Sequence, residues 1–463
     1  MYIKSICMCS FLIFNWLIEN IEYVNYFLKF RGPDLTNSIT YEGFLFLHNL
    51  LHLTGDITEQ PFIDKDKKIV CLFNGEIYNY KSFGYYKSDG YCLIDCYLKY
   101  GEDFISMLDG EFAVVLFDFN KNIFILSTDV FATKPIWYAI DNGKLGISSY
   151  ESGLKRAGLE NRIKLNPNTT KIFNISTLET IDTKRVFIFD FNQHKTSYND
   201  WSYAFIHSIK KRTDNNNYPV YICLSSGYDS GCICAAMNYI KKQFYTYTIL
   251  ADENIDTINK RKIINKQVTN SDSELIEFTK EEFEQIGKYI KEHAEEFKYF
   301  PKTMRENSLV SDDQASIGMS KICKIASTRK QRIYLSGSGA DEIHSDYGKY
   351  GNAIFGHSCF GGRWPDNLND IFSNNPEDDM IWKSFYHGTQ RDYLAKEEII
   401  SGLHGIEGRY PYLDKYVVQE FLWLTKDLKN NIYKAPLDYF MTKTNYPFDK
   451  EVKLGFSAGK NLK

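Results

Sequence analysis

Two short turns carry the residues best suited to chemistry. The first is Leu224-Ser225-Ser226-Gly227-Tyr228-Asp229-Ser230-Gly231. It follows the apolar run Val220-Tyr221-Ile222-Cys223, which reads as a buried strand, and precedes Cys232 to Tyr239, which reads as a helix. A strand, a tight turn of hydroxyl residues and glycine, then a helix N-terminus makes an anion cradle, because backbone N–H groups and the positive end of the helix dipole face the ligand. Asp229 would repel a phosphate unless Mg2+ stood between them. The turn therefore suits a nucleotide pyrophosphate. No Gly-Lys-Ser/Thr follows, so it is not the P-loop of kinases and GTPases.

The second turn, Ser336-Gly337-Ser338-Gly339-Ala340-Asp341-Glu342, follows the apolar Ile333-Tyr334-Leu335. In a doubly wound sheet ligands sit at the carboxyl ends of strands, so two such turns can face one ligand. Asp229 and Asp341 would then bring two carboxylates to one Mg2+. The plainer alternative is a loop with Asp341 as a helix cap. Downstream lies Gly405-Ile406-Glu407-Gly408-Arg409-Tyr410-Pro411-Tyr412-Leu413-Asp414-Lys415. Pro411 pushes Tyr410 towards an extended conformation, which would carry Arg409 with it. Arg409 can hold a carboxylate, or pair with Glu407 or Asp414. Lys434 and Lys453 are further candidates, since a lysine near an α-phosphate stabilises the charge that builds as pyrophosphate leaves.

The elements that must position these residues fall into two regions. A chain of 463 residues makes two or three domains. Its net charge of −4, with both signs interspersed, excludes a nucleic-acid groove and a membrane-binding face as the main feature. Ten cysteines without paired CxxC spacing read as buried thiols in a reducing compartment. Ile6 to Ile18 is too short to span a bilayer, which takes about 20 apolar residues, and reads as a first core strand. From there to about Leu165 the pattern is strand-rich, with candidates at Cys9-Phe14, Phe44-His48, Ile69-Phe73, Glu111-Phe117, Ile123-Thr128 and Ile136-Ile140. Helices are predicted at Ile18-Phe30 and Tyr91-Tyr100. That mix implies stacked sheets with helices outside. After a polar connector, helix-sized and strand-sized segments alternate, which predicts a parallel α/β sheet. The stretch from Gly351 to Met380 reads as a long surface loop and a candidate lid.

The first turn resembles the pyrophosphate loop (SGGxDS) of the ATP pyrophosphatases. Arg31-Gly32-Pro33-Asp34, Asn74-Gly75-Glu76-Ile77-Tyr78-Asn79, both turns and Glu407 to Asp414 occur in one order. Together they resemble the glutamine-dependent asparagine synthetase family over nearly the whole chain. The resemblance implies an α+β N-terminal-nucleophile glutaminase at residues 8–165, a connector at 166–199 and an α/β ATP-pyrophosphatase domain at 200–463. It implies that glutamine is hydrolysed in the first domain and that ammonia passes through an internal tunnel. In the second, Mg-ATP adenylates a carboxylate and ammonia displaces AMP. Met8-Cys9-Ser10-Phe11 is similar to the family start, so Cys9 is the implied nucleophile, with its own α-amino group as base. That chemistry needs Cys9 at the N-terminus, which predicts a start at Met8 or removal of the preceding residues. Asn74 and Gly75 are the implied oxyanion hole; taken alone, Asn-Gly reads as a hairpin turn. Glu76 and Asp89 are implied to hold the glutamine α-amino group. Leu224, Ser225, Ser226, Gly227, Asp229, Ser230, Ser336, Gly337 and Lys434 are implied to hold ATP. Asp229 and Asp341 would hold the metal, Lys453 would be catalytic, and Ser338, Asp392 and Arg409 would face the acceptor.

Three positions depart from that pattern. Leu50, in His48-Asn49-Leu50-Leu51, stands where the family has an Arg that grips the glutamine α-carboxylate, and Leu cannot replace a guanidinium; His52 is a candidate substitute. Ser226 replaces a Gly. Ser338 replaces a Glu tied to amide formation in the bacterial enzymes (SGEGSDE), which leaves the acceptor open. The leading expectation is a cytoplasmic ligase of asparagine biosynthesis that uses glutamine, ATP, Mg2+ and aspartate. The alternatives are an amidotransferase for another carboxylate, such as a sugar acid or a specialised metabolite, and a degenerate binding protein of the same fold. Partners are small molecules, with neither nucleic acid nor membrane; a homodimer is compatible with the sequence.

Overall fold

The computed structural model describes residues 9–214, 216–251, 253–299, 308–372, 382–450 and 452. Two six-stranded antiparallel sheets form the N-terminal part. In one, Ser10–Phe14 lies between Phe44–Leu50 and Lys144–Ser148. In the other, Ile69–Ile77 pairs with Gly110–Asp118 and Phe62–Asp64. The sheets stack face to face. Phe11, Ile13, Phe44 and Phe46 of the first interdigitate with Val70, Leu72, Val115, Phe117 and Phe124 of the second. These residues alternate along their strands, as burial of one face requires. The helix Cys92–Tyr100 covers the outer face of the second sheet through Leu93, Cys96 and Tyr97.

The C-terminal part is built on a five-stranded parallel sheet, ordered Asp272–Ile276, Tyr245–Ile249, Val220–Cys223, Ile333–Leu335 and Glu407–Arg409. Its central strands are short and apolar because helices cover both faces. The helix Tyr228–Tyr239 leaves the end of Val220–Cys223 and is buried along nearly its whole length. Among the described residues no helix is long and apolar enough to cross a membrane.

Several elements differ from expectation. Ile18-Phe30 forms only the turn of helix Ile21–Val24 and a 3-10 turn at Leu28–Arg31. The segment is rich in aromatic and β-branched residues, which lose side-chain freedom in a helix, and Asn25 ends the first turn. Asn74-Gly75 is not a hairpin turn: it lies inside the nine-residue strand Ile69–Ile77. Thr169–Asn174 and Thr180–Arg185, expected to be connector, pair onto the second antiparallel sheet, which therefore runs past Leu165. Thr180–Arg185 is a polar, solvent-facing edge strand, so it lacks the apolar signal of a core strand. The expected surface loop after Tyr350 is anchored as far as Phe372. Asp346 accepts from Cys359 N and Phe360 N, each at 2.8 Å, and Trp364, Leu368 and Phe372 are buried. Residues 373–381 of that stretch lie outside the described residues.

Candidate active site

The two anion turns meet at the carboxyl ends of adjacent parallel strands, Val220–Cys223 and Ile333–Leu335. A Cβ on Gly337 would stand 3.0 Å from the Asp229 Cβ. Lys434 joins the two acids, donating to Asp229 Oδ1 and lying 2.9 Å from Asp341 Oδ1. Burial would lower the Lys434 ammonium, but the two carboxylates hold it well above its usual range. Lys434 takes a left-handed backbone, φ 49°, just before the helix Ala435–Lys443, and this aims it at the turns. Tyr433 OH donates to Asp341 Oδ1 at 3.1 Å, and Tyr412 OH donates to the Asp229 carbonyl at 2.7 Å. Paired carboxylates at a strand-end anion cradle are the hard oxygen donors that Mg2+ shares with substrate phosphates.

Hydrogen bonds fix the first turn tightly. Ser225 N donates to Ser230 Oγ at 2.9 Å, and Gly227 N donates to Ser225 Oγ at 3.3 Å. Leu224 is buried, with its carbonyl accepting from Thr248 Oγ1 at 2.8 Å. Arg261 clamps the turn from behind, donating to the carbonyls of Ser225 and Gly227. A Cβ on Gly231 would fall 2.4 Å from that guanidinium, so any larger residue there would have to displace the clamp. Glu253 accepts from Ser226 N and Oγ at 2.5 and 2.6 Å. A side-chain carboxylate thus takes up two donors of the turn.

The second turn holds a carboxylate as well. Ser336 Oγ and Ser338 Oγ donate to the two oxygens of Glu397, at 2.5 and 2.9 Å. Glu397 lies on the helix Thr389–Leu403, and burial raises its carboxyl above the ordinary value. Asp392 of the same helix is five residues away, about 140° round the helix axis. It is buried, and its charge is felt by Lys164 and Arg391.

The second candidate pocket surrounds Cys9, just before the strand Ser10–Phe14. Leu51 N donates to Cys9 Sγ at 3.2 Å, and Arg31 Nε donates to the Cys9 carbonyl at 3.1 Å. Burial pushes the thiol up, and the charges of Glu407, Glu76 and Asp89 push it further. Thr54 Oγ1 donates to both Glu76 oxygens, at 3.0 and 2.9 Å. Asp89 accepts from Ile77 N at 2.8 Å, and burial raises its carboxyl to about 6. Asn74 is fully buried, and neither atom of its amide has a hydrogen-bond partner. An amide in that state can donate to an oxygen brought to it. Gly75 has φ 127°, and a Cβ there would fall 1.9 Å from the Glu111 carbonyl oxygen, so the backbone requires glycine. Leu50 is buried, and His52 Nε2 lies 2.7 Å from the Gly55 carbonyl oxygen.

Arg409 links the pockets instead of facing the synthetase turns. It ends the Glu407–Arg409 strand and is buried, with Nη2 2.8 Å from Glu76 and Nε 2.7 Å from Glu407. Other buried ion pairs join the same two parts. Arg31 and Lys134 both meet Glu398, at 2.9 and 2.8 Å, and Arg212 bridges Glu111 and Asp414, at 2.8 and 2.7 Å. At the edge of the junction Arg332 meets the exposed Asp34 at 2.9 Å.

Residues 8–193 match the family model described as a glutamine amidotransferase domain, and residues 200–444 match the model described as asparagine synthase. The chain belongs to the asparagine synthase family. A stretch of 138 residues is 33% identical to an asparagine synthetase [glutamine-hydrolyzing] of Asparagus officinalis, covering 27% of this chain and 23% of that protein. A putative asparagine synthetase [glutamine-hydrolyzing] 1 of Methanocaldococcus jannaschii is 23% identical over 92% of this chain and 76% of its own length. Amidase chyE of Penicillium rubens is 31% identical over 31% of this chain and 23% of its own length. The matched stretch thus spans about a quarter of the plant and fungal relatives.

For an asparagine synthase chain, the structure brings the turns that carry Ser225, Ser226, Gly227, Asp229 and Ser230 and Ser336, Gly337, Ser338 and Asp341 side by side, joined by Lys434. It gathers Cys9, Glu76 and Asp89 at the second site. It does not bring Asp392 to the two turns. Arg409 meets the second turn only through its backbone, its carbonyl accepting from Ser336 N at 2.9 Å, while its side chain turns to Glu76 and Glu407. Lys453 lies outside the described residues. Glu397, Arg261 and Glu253 were not found from the sequence. Each acts on a turn 27 to 61 residues away, and none carries a local motif.

Proposed function

We propose that this chain is a glutamine-dependent amidotransferase that joins ammonia to a carboxylic acid at the expense of ATP, with aspartate as the leading acceptor. The observation that carries this reading is the meeting of Asp229 and Asp341 on Lys434 between two anion turns. Asp229 and Asp341 would hold Mg2+, which neutralises a pyrophosphate when bound. Ser225, Ser230 and the start of the helix Tyr228–Tyr239 would cradle the phosphates, and Lys434 would turn from the carboxylates to the leaving group. The acid attacks the α-phosphate to give an acyl-adenylate, and ammonia then displaces AMP. In the Cys9 pocket the thiol attacks the glutamine amide, Asn74 Nδ2 and Gly75 N–H hold the oxyanion, and Glu76 and Asp89 take the α-ammonium.

Ser338 supports a second reading, in which the acceptor is a carboxylate other than aspartate, because this position is tied to the amide-forming step. ATP–pyrophosphate exchange across a panel of acids tests both. Exchange that depends on aspartate supports asparagine synthesis; exchange with another acid alone moves the chain to a different acceptor. Asp341→Ala is expected to lower exchange roughly 100- to 1,000-fold, the scale for losing one group that stabilises developing charge. Undiminished exchange in that variant would contradict the role given to Asp341.

A further inference from the structure

Ser338 and Glu397 together raise a question that the family pattern does not answer. The turn has a hydroxyl where a carboxylate is expected, yet a carboxylate is present. Both Glu397 oxygens are held by hydroxyls of that turn, Ser336 at 2.5 Å and Ser338 at 2.9 Å. Ser338 N also donates to Ser336 Oγ at 3.0 Å, so the turn closes around the pair of hydroxyls. The charge of Glu397 reaches Cys223, at the end of one central strand, and Tyr334, on the next. The carboxylate therefore stands over the carboxyl edge of the sheet, where both anion turns begin. Glu397 is half-buried, not sealed.

We propose that Glu397 is the catalytic base of the amide-forming step, delivered from the helix Thr389–Leu403 to the position that Ser338 leaves without a carboxylate. The inference rests on the adenylation reading above. In this step the ammonia nitrogen attacks the acyl carbon of the adenylate and a C–N bond forms. The acyl C–O bond to AMP breaks, and its electron pair leaves on the AMP phosphate. One proton passes from nitrogen to a Glu397 oxygen and later to solvent, leaving a neutral amide. Each carboxylate oxygen has two acceptor sites, so the bonds from Ser336 and Ser338 leave room for that proton. Burial favours the protonated carboxyl, which suits a group that must take a proton.

The test is Glu397→Gln, alone and combined with Ser338→Glu, in the full chain. The glutamine has nearly the same size and can still accept from a serine hydroxyl, but it cannot take the proton. Two reactions are read in parallel with the best acid of the panel: ATP–pyrophosphate exchange and ammonia-dependent amide formation. Exchange is expected to stay within about threefold of the unsubstituted protein, while amide formation falls roughly 100-fold, the scale of one general base. Adding Ser338→Glu, which returns a carboxylate to the turn, is expected to recover at least about tenfold of the loss. Amide formation within threefold of the unsubstituted protein would overturn the proposal. So would parallel loss of both reactions without rescue, which is the mark of a residue that only braces the turn. Absence of exchange in the unsubstituted protein with every acid would instead remove the adenylation reading, and this proposal with it.

Discussion

Against the pattern that the sequence resembles, the Cys9 site and the site between the anion turns each lack one charged side chain, at Leu50 and at Ser338, with different surroundings. In the synthetase pocket a carboxylate is lost at Ser338, and Glu397 of a neighbouring helix is held at that place by two hydroxyls. In the glutaminase pocket a guanidinium is lost at Leu50, which is buried in its strand and offers no polar atom to recruit a replacement. Arg409 reaches this pocket from the synthetase side, but it is already paired with Glu76 and Glu407. His52 turns to the Gly55 carbonyl. A short hydroxyl residue can bind a substitute for what it replaces, whereas an apolar one cannot. The second turn thus has a carboxylate bonded to it, and Glu407, Glu76 and Asp89 lie close enough to Cys9 for their charges to act on its thiol.

The sharpest way to separate the two pockets is Cys9→Ala. Glutamine-dependent AMP formation should be abolished, while ammonia-dependent formation stays within about threefold, since the hydrogen bonds of Cys9 go to Leu51 and Arg31 and not to the anion turns among the described residues. Loss of the ammonia reaction as well would show that the two pockets do not act separately. A large effect of a different kind is expected at the junction. Arg409→Met leaves Glu76 and Glu407 buried without their partner, and breaking a buried ion pair this way costs about 3–5 kcal/mol. Urea unfolding measures it, and a cost below about 1 kcal/mol would mean that the pair does not hold the domains together.

A gain tests the unrepaired side. Leu50→Arg returns a cation for the glutamine carboxylate, and a charge-assisted hydrogen bond contributes about 1.5–3 kcal/mol, so KM for glutamine should fall roughly 10- to 100-fold. An unchanged KM would place the substrate carboxylate elsewhere. The smallest expected effect is on stability. Burial raises the carboxyls of Asp89 and Asp129 to about 6 and that of Glu295 to about 7. Between their ordinary values of 3.8 and 4.5 and these raised ones, the folded chain keeps protons that the unfolded chain has released. Stability from these groups is therefore present at low pH and falls as pH rises through that window. Asp414 runs the other way: despite burial, Lys211 and Arg212 hold it well below its ordinary value, so its contribution is lost only at pH below about 4. Below about pH 6.5 the buried imidazoles of His48, His344 and His404, held down to about 3, oppose this, so a small rise in Tm is expected only from about pH 7.5 to 6.5, and a fall over that interval would contradict the sign.

What the sequence showed and what it hid follow from distance along the chain. Each anion turn was legible because strand, turn and helix are contiguous, from Val220 to Tyr239 and from Ile333 to His344, and so was the order of a stacked-sheet part before a parallel one. The junction was hidden because its ion pairs join residues 101 to 367 positions apart. For Arg409 the local alternative, pairing with Glu407, is present at 2.7 Å, while its second partner, Glu76, lies too far along the chain for any local signal. Glu397 was hidden inside the charged run Lys396-Glu397-Glu398, which reads as a solvated helix face. Ile18-Phe30 misled in the opposite way, since its apolar spacing was helical but its residue types were poor helix formers. The strands at Thr169–Asn174 and Thr180–Arg185 were missed because an edge strand need not be apolar.

The most direct test of the contrast between the pockets is AMP formation from Mg-ATP with ammonia and with glutamine, across a panel of acids that includes aspartate, on protein beginning at Cys9. A working synthetase site beside a weakened glutaminase site predicts AMP release with ammonia and at least one acid, and a far weaker response to glutamine at matched concentration. Equal turnover at low glutamine would contradict the weakening assigned to Leu50. No AMP with any acid, together with no binding of Mg-ATP by calorimetry, would contradict the synthetase pocket itself.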